Sequence, residues 1–267
     1  MGRARARFRK KKRKLGKNIR PQNAKKVKID KNPIGAYAAY KPSGKWWKKR
    51  HFLFSKFDQG IIIESNESWH SVTPEEISHS ISEFFFKNFY SESVILDAFC
   101  GVGGNTIQFA KYFKVIAIDI DPRKIEAARH NAKIYNVEQN IEFIVGDFFR
   151  IAPGLKNKVD AVFLAPPWGG PKYKKLPTYD LEINMPLNGK KIFSVASSIS
   201  KNIAFYVPKN TNRDQLMNLD FKGNKKTGDQ SLVQVRRIQE NRRKRPEDLK
   251  RSDVVALTVY YVEGEPV

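Results

Sequence analysis

Apolar and polar residues follow two different spacings along this chain of 267 residues. From about residue 94 onward short apolar runs recur, and such runs are typical of buried strands. Stretches with apolar residues at helical spacing lie between them, and one begins with Asp121 as the N-cap and Pro122 at the first helical position. The predicted strands are 94–99, 115–120, 140–145, 159–165, 202–207, 232–238 and 254–262.

This order of elements predicts an α/β fold of the Rossmann-like kind over residues 93–267. Strands that alternate with helices form a parallel sheet that is covered on both faces. The last two strands lack a convincing helix between them, so we expect them to form an antiparallel hairpin at the edge. The result is a seven-stranded, mostly parallel sheet.

Residues 31–92 are predicted to form a small N-terminal helical extension. The sequence Thr73-Pro74-Glu75-Glu76 has the pattern of a capping box, with Thr73 as the N-cap. The helix that follows carries an apolar stripe that includes Ile77, Ile81, Phe84 and Phe85. We therefore expect this helix to pack on the sheet domain.

The net charge of +23 is concentrated at the N-terminus. Residues 1–28 hold 6 Arg and 8 Lys and no acidic residue, which gives +14. Such a segment repels itself and buries almost nothing, so we expect residues 1–30 to form a disordered basic tail. The basic tail predicts a nuclear or nucleolar protein, and a cytoplasmic location in addition is not excluded by it. It also fits an arm that neutralises RNA phosphates. The alternative is a solvated tail that only aids solubility.

Composition excludes several other classes of protein. Cys100 is the single cysteine, so we expect no disulfide framework and no cysteine-based zinc site. The four histidines lack metal-ligand spacing, and no metal is predicted. We expect no membrane span, because no apolar stretch approaches about 18 residues. We expect no secretory signal, because the N-terminus has no apolar region of the kind that a signal peptide needs. The default oligomeric state is a monomer.

The first strand leads into a glycine-rich loop with the pattern Asp97-x-x-x-Gly101-x-Gly103-Gly104. Glycines at this position let a cofactor approach the backbone. The dinucleotide fingerprint would have a third glycine at Thr106, and Asp97 would repel a pyrophosphate. A carboxylate there suits a cationic cofactor with an amino-acid ammonium group, and S-adenosylmethionine is such a cofactor.

Two further acids follow the next two strands. Asp119 is expected to accept hydrogen bonds from both ribose hydroxyls, and Asp147 from the adenine amine. The alternative is that these acids only stabilise turns or cap helices. This alternative can explain each acid by itself, but it explains poorly why acids occur at successive strand ends. The predicted cofactor residues at these strand ends are Asp97, Phe99, Gly101, Gly103, Asn105, Thr106, Asp119 and Asp147.

The fourth strand ends in Ala165-Pro166-Pro167-Trp168. Proline cannot donate to a ladder, so the strand stops there, while the proline carbonyls can still accept hydrogen bonds. Two acceptors beside an aromatic face suit a planar base with an exocyclic amine, and amino-directed methyltransferases carry a Pro-Pro-aromatic signature at this position. A proline-rich turn with a packed Trp168 is the alternative. We predict that Pro166, Pro167 and Trp168 orient an amine for methyl transfer.

The residues 52–60, 71–75, 97–108 and 166–171 together resemble the trimethylguanosine synthase family. The resemblance implies a class I methyltransferase fold and an S-adenosylmethionine-dependent cap guanosine-N2 methyltransferase. Its substrates would be 7-methylguanosine-capped small nuclear and nucleolar RNAs, converted to 2,2,7-trimethylguanosine by two N2 methylations. Proteins of the corresponding ribonucleoprotein particles would be partners.

The same resemblance implies roles for single residues. Trp168 would stack on the 7-methylguanine, and Thr73 would contact the cofactor. Ala165 departs from the family, which has Ser there, and alanine cannot accept a hydrogen bond from the amine. The positions that match cap-binding residues are Ser71, Asn131 and Tyr173 near the base, and Lys45 and Lys209 near the phosphates.

Two other functions stay open. One is a guanine-N2 or adenine-N6 methyltransferase that acts on internal positions of tRNA or rRNA. The other is an RNA-binding scaffold that keeps the fold without turnover. A requirement for N7 methylation would separate the cap enzyme from the first of these.

Overall fold

The structure, a computed structural model, describes residue 42 and residues 44–219, 232–239 and 254–262. For residues 45, 232–239, 254 and 255 it describes the backbone alone. The predicted basic tail at residues 1–30 lies outside the described residues. No described helix is long and apolar enough to span a bilayer.

The sheet has the predicted α/β architecture. Its strand order is β3-β2-β1-β4-β5-β7-β6, and the first five strands in this order pair in parallel. β7 lies antiparallel between β5 and the edge strand β6, as expected for an edge hairpin. Six strands have described side chains, and β6 is defined by its backbone pairing. The strands are β1 Val94–Asp97, β2 Lys114–Asp119, β3 Ile141–Val145, β4 Ala161–Leu164, β5 Ile203–Pro208, β6 Leu232–Gln239 and β7 Val254–Val262.

Helices cover both faces of the sheet. Helices α4, α5 and α6 share a hydrophobic cluster with one face, and α7, α8 and α9 share a second cluster with the other face. Two buried faces explain why the strands are apolar runs rather than alternating patterns. The described helices are α1 Lys45–Lys48, α2 Arg50–Leu53, α3 Asn66–Ser71, α4 Glu75–Asn88, α5 Gly104–Phe109, α6 Pro122–Ile134, α7 Phe148–Ile151, α8 Gly189–Ile199 and α9 Arg213–Met217.

The N-terminal extension packs on the sheet domain through α4. Phe84 stacks on Tyr260 of β7 with ring centroids 3.7 Å apart, and Phe85 lies 5.2 Å from Phe109 of α5. Phe84 and Phe85 are 4% and 2% exposed, so the interface is part of the protein core. The extension and the sheet therefore share one hydrophobic interior.

The start of α4 differs from the predicted capping box. The helix begins at Glu75 with Pro74 as the N-cap residue, and no side chain caps it. The Thr73 hydroxyl instead accepts a hydrogen bond from Asn105 Nδ2 at 3.0 Å. The capping-box prediction was wrong because a tertiary partner on the glycine-rich loop takes the hydroxyl that a local cap would use.

Candidate functional site

The candidate site lies at the sheet edge where the parallel strands end. Asp97 is the last residue of β1, and it pairs in register with Ala117 of β2 and Phe163 of β4. The chain segments that follow these three strands therefore emerge side by side. In open α/β sheets this edge is where ligands bind.

The glycine-rich loop turns sharply between β1 and α5. Gly101 and Gly103 have φ angles of 52° and 91°, which side chains other than glycine rarely adopt. A Cβ on Gly103 would also lie 3.3 Å from the Ala128 backbone of α6. The loop needs glycine at both positions, as a cofactor-binding loop does.

Asp97 is completely buried beneath this loop. Its Oδ2 accepts a hydrogen bond of 2.6 Å from the Thr106 hydroxyl, whereas no described group donates to Oδ1. Burial raises the pKa of Asp97 to about 7, although the Thr106 hydrogen bond opposes the increase. A buried carboxylate with one unpaired oxygen is well suited to a cationic partner.

Asp119 and Ile120 form the next part of the edge. Asp119 accepts hydrogen bonds of 3.0 Å from the backbone N–H groups of Gly101 and Asp121. Burial raises its pKa, and each carboxylate oxygen keeps a second lone pair for a ligand hydroxyl. Ile120 is 72% exposed despite its apolar side chain, which suits the face of a flat ring. Sequence reasoning missed Ile120, although an apolar residue after the strand-ending acid was a visible signal.

Asp147 caps a helix, which is the local role that the sequence offered as the alternative to cofactor binding. It caps α7, where its Oδ1 accepts a hydrogen bond of 2.9 Å from the Phe149 N–H. The neighbouring Gly146 N–H donates to the Asp119 carbonyl at 2.9 Å, so the two acids lie at the same edge. Contact between Asp147 and adenine stays a prediction.

Thr73, Asn105 and Phe99 surround the same loop. Thr73 and Asn105 are buried and hydrogen-bonded to each other, and Asn105 Oδ1 has no described partner. Phe99 is half-buried, with its ring 5.4 Å from that of Phe148. The structure thus brings together all the residues that were predicted to hold the cofactor.

Trp168 is held in place on the segment after β4. Its Nε1 donates to the Tyr206 carbonyl at 3.3 Å, and its own carbonyl accepts from the Tyr179 hydroxyl at 3.2 Å. The Tyr173 ring stands perpendicular to the indole at 5.2 Å, and the Tyr206 ring lies 5.1 Å away at 40°. The indole is only partly buried, so it is both fixed and accessible.

The two prolines before Trp168 leave their acceptors available. Pro166 is buried and Pro167 is exposed, and no described group donates a hydrogen bond to either carbonyl. Ala165 is partly buried against the core and offers no polar atom beyond its backbone. Backbone carbonyls are thus the available acceptors beside the indole.

The predicted cap-binding residues do not all lie near Trp168 in a way that the structure describes. Tyr173 is half-buried beside Trp168, and burial raises its pKa. Lys209 is exposed directly after β5. Ser71 is exposed at the end of α3, where its hydroxyl donates to the Glu67 carbonyl at 2.9 Å. The side chain of Lys45 lies outside the described residues.

Asn131 forms buried hydrogen bonds that the sequence did not indicate. It is completely buried on α6, where its Oδ1 accepts from the Ile62 N–H at 2.8 Å. Its Nδ2 donates to the carbonyls of Ile62 and Val102, at 2.8 and 3.0 Å. The Asn131 amide therefore joins the extension, α6 and the glycine-rich loop, and its contact with substrate stays a prediction.

Among the described residues, no group of three or more His, Cys, Asp or Glu side chains is placed to hold a metal ion. The Cys100 thiol is buried, and burial raises its pKa well above the usual range. The groups that line this edge include carboxylates, backbone carbonyls and aromatic rings.

The fold and the site together define a Rossmann-like methyltransferase. Over residues 92–246 the chain matches the family described as RNA cap guanine-N2 methyltransferase. Because this match covers more than half of the chain, the protein belongs to that family.

Two relatives agree with this assignment, and one solved structure shares the fold. The chain is 42% identical to trimethylguanosine synthase of Schizosaccharomyces pombe over 64% of its length, which covers 73% of that protein. It is 38% identical to trimethylguanosine synthase of Saccharomyces cerevisiae over 64% of its length, and spans 56% of that protein. A putative methyltransferase from Porphyromonas gingivalis has the same fold, with a TM-score of 0.57 at 14% identity. That match covers 87% of this chain and 57% of the other.

The role of Asn131 can be tested by its replacement with leucine. Asn131→Leu leaves the Ile62 N–H and two carbonyls unpaired, so the free energy of unfolding should fall by about 3 kcal/mol. Urea denaturation would measure the change. Gln139→Ala, at an exposed position, should cost less than about 0.5 kcal/mol. A stable Asn131→Leu protein that had lost only substrate affinity would contradict the structural role.

Proposed function

We propose that this protein transfers methyl groups from S-adenosylmethionine to N2 of the 7-methylguanosine cap of RNA. The observation that carries the proposal is that Trp168 and two available proline carbonyls directly follow β4, which pairs with the end of β1 at the buried Asp97. Because these strands are neighbours, an amine held after β4 would lie next to a cofactor held at the end of β1. Family membership supports the same reaction.

The chain offers a chemically suitable cofactor site. S-adenosylmethionine supplies a methyl group that is already activated by its positive sulfur. Asp97 Oδ1 would accept a hydrogen bond from the ammonium group, and Asp119 would accept from the ribose hydroxyls. Ile120 would pack on the adenine ring. The main task left to the protein is to align the amine with the methyl group.

Trp168 would select the methylated base. N7 methylation makes guanine cationic, which strengthens stacking on an indole. The Tyr173 and Tyr206 rings and two hydrogen bonds hold the indole, so little ordering is needed when the base binds. The carbonyl of Pro166 or Pro167 would then orient the exocyclic amine and stabilise its growing positive charge.

Ala165 bears on the number of methyl groups transferred. Backbone carbonyls and stacking must orient the amine there, because the alanine side chain cannot accept a hydrogen bond. The second methylation acts on an amine that already carries one methyl and has fewer N–H groups to hold. We nevertheless propose both transfers, to 2,2,7-trimethylguanosine, because the two yeast relatives are named for that product.

Small nuclear and nucleolar RNAs are the proposed substrates, and proteins of their particles are the proposed partners. A nuclear or nucleolar location and a monomeric state stay predictions. The family match favours the cap enzyme over a methyltransferase of internal RNA positions and over an inactive scaffold.

Mass spectrometry of 7-methylguanosine triphosphate after incubation with labelled S-adenosylmethionine tests the proposed reaction. Two added methyl groups are expected, with guanosine triphosphate as a poor substrate because the stacking gain is lost. Equal methylation of both nucleotides would favour an internal-position enzyme. Cofactor binding without transfer to cap or RNA would favour the scaffold.

Trp168→Ala should separate substrate binding from cofactor binding. Loss of stacking is expected to lower kcat/KM for the cap nucleotide about 100-fold, since base stacking of about 2 kcal/mol and a cation–π contribution of about 1 kcal/mol are lost together. Affinity for S-adenosylmethionine, measured by calorimetry, should change less than about threefold. Trp168→Phe keeps an aromatic face and should retain part of the activity. If the alanine variant lost cofactor affinity equally, Trp168 would be structural.

Asp97 should make cofactor affinity depend on pH. Burial favours its neutral form in the free protein, whereas an ammonium group favours the carboxylate. Affinity for S-adenosylmethionine should therefore rise up to about tenfold per pH unit as pH approaches 7, and level off above it. Asp97→Asn should bind weakly and lose this dependence. Calorimetry across neutral pH would measure both, and a wild-type affinity independent of pH would contradict the proposed contact.

The same carboxyl should affect the stability of the free protein. Its folded-state pKa of about 7 lies above the unfolded value of about 3.9, so its contribution to stability is lost as pH rises between these values. Asp97→Asn should remove that part of the pH dependence in urea denaturation.

A further inference from the structure

A strongly basic surface lies directly beside Trp168. The 3₁₀ turn Pro171–Lys175, here called the lysine turn, carries Lys172, Lys174 and Lys175. All three side chains are exposed, and none takes part in the ion pairs found among the described residues. The Lys174 ammonium group lies 5.9 Å from the centre of the Tyr173 ring. No acidic residue occurs in the sequence between Trp168 and Tyr179.

The lysine turn is held against the segment that follows β5. Asn210 Nδ2 donates to the carbonyls of Tyr173 and Leu176, at 3.1 and 2.8 Å. The Asn210 carbonyl in turn accepts from the Tyr179 N–H at 2.8 Å. The exposed Lys209 comes directly before Asn210 in the chain.

The acidic residues that follow the lysine turn in the chain bind groups other than its lysines. Asp180 accepts hydrogen bonds of 2.8 and 2.9 Å from the backbone N–H groups of Glu182 and Ile183. Glu182 forms an ion pair of 2.7 Å with Lys190. The positive charge of the turn is thus not compensated locally, and such a surface attracts an anion.

We infer that the lysine turn binds backbone phosphates of the RNA chain beyond the cap. This inference rests on the proposed function, in which Trp168 holds the cap base. A triphosphate joins that base to the RNA, so the chain leaves the Trp168 site across neighbouring surface. Lysine ammonium groups contact phosphates as point charges and read no base. The turn therefore selects a capped chain over a free cap nucleotide, without regard to sequence.

The test compares one variant on two ligands. Lys172→Gln, Lys174→Gln and Lys175→Gln together remove the charge and keep most of each side chain. Affinity for a capped oligonucleotide, measured by fluorescence anisotropy, should fall about tenfold at low salt. The slope of log affinity against log salt should become shallower by about 2, for three single-strand contacts. The kcat/KM for a cap dinucleotide should stay within about twofold.

Two further variants control for charge and for folding. Lys87→Gln, Lys156→Gln and Lys201→Gln remove the same charge from exposed lysines that precede β1, β4 and β5, at the opposite edge of the sheet. This control should bind capped RNA like the wild type. Arginine at the three turn positions keeps the charge and should restore affinity and salt slope.

Two outcomes would overturn the inference. If the turn variant had an unchanged affinity and salt slope, the lysines would not bind RNA. Their ligand would then be another anion, such as an acidic protein. An equal loss in the control would mean that total charge matters rather than the turn. Failure of the proposed function looks different: the wild type would then not methylate the dinucleotide, while its RNA affinity would still report on the turn.

Discussion

The burial of a carboxylate at the end of β1 is the constraint on which the rest of the site depends. Asp97 has no exposed surface and only one hydrogen-bonded oxygen, so its charge is costly until a cation arrives. The Thr106 hydroxyl that binds it lies on α5, so the chain must turn back between the strand and the helix. The positive φ angles of Gly101 and Gly103 allow that turn. Gly101 can then donate its N–H to Asp119, which joins the ends of β1 and β2.

The N-terminal extension completes this edge and is not an appendage. Thr73 bonds to Asn105, and Ile62 bonds to Asn131, which also holds the carbonyl of Val102. A third link joins Glu75 to the Tyr135 hydroxyl at 2.8 Å. All three connect the extension to the glycine-rich loop or to the helix behind it. The loop geometry therefore depends on residues that lie outside the sheet domain.

The fold and the order of its strands could be predicted from the sequence because their signals are local, although β1 and β4 end earlier than predicted, at Asp97 and Leu164. Apolar runs, the Asp121 cap and the glycine spacing each depend on neighbouring residues, and the structure confirms them. The roles of Thr73 and Asn131 could not be predicted in this way. Asn131 contacts Ile62, 69 positions earlier, and nothing near it in the sequence indicates that partner. The capping-box prediction at Thr73 was wrong for the same reason, since its hydroxyl bonds to Asn105, 32 positions later.

The distribution of charge explains how two unlike ligands could share one cleft. Acids end β1 and β2, where a cationic cofactor is proposed, and lysines follow β4 and β5, where an anionic RNA chain is proposed. Each group repels the other ligand over distances of about 10 Å, the range of electrostatic screening. Trp168 follows β4 and carries no charge. Ala165 before it is also uncharged, whereas an aspartate there would add a negative charge on the side where the phosphates are proposed to bind. The neutral proline carbonyls can accept a hydrogen bond from the amine without adding a net charge that would affect either ligand.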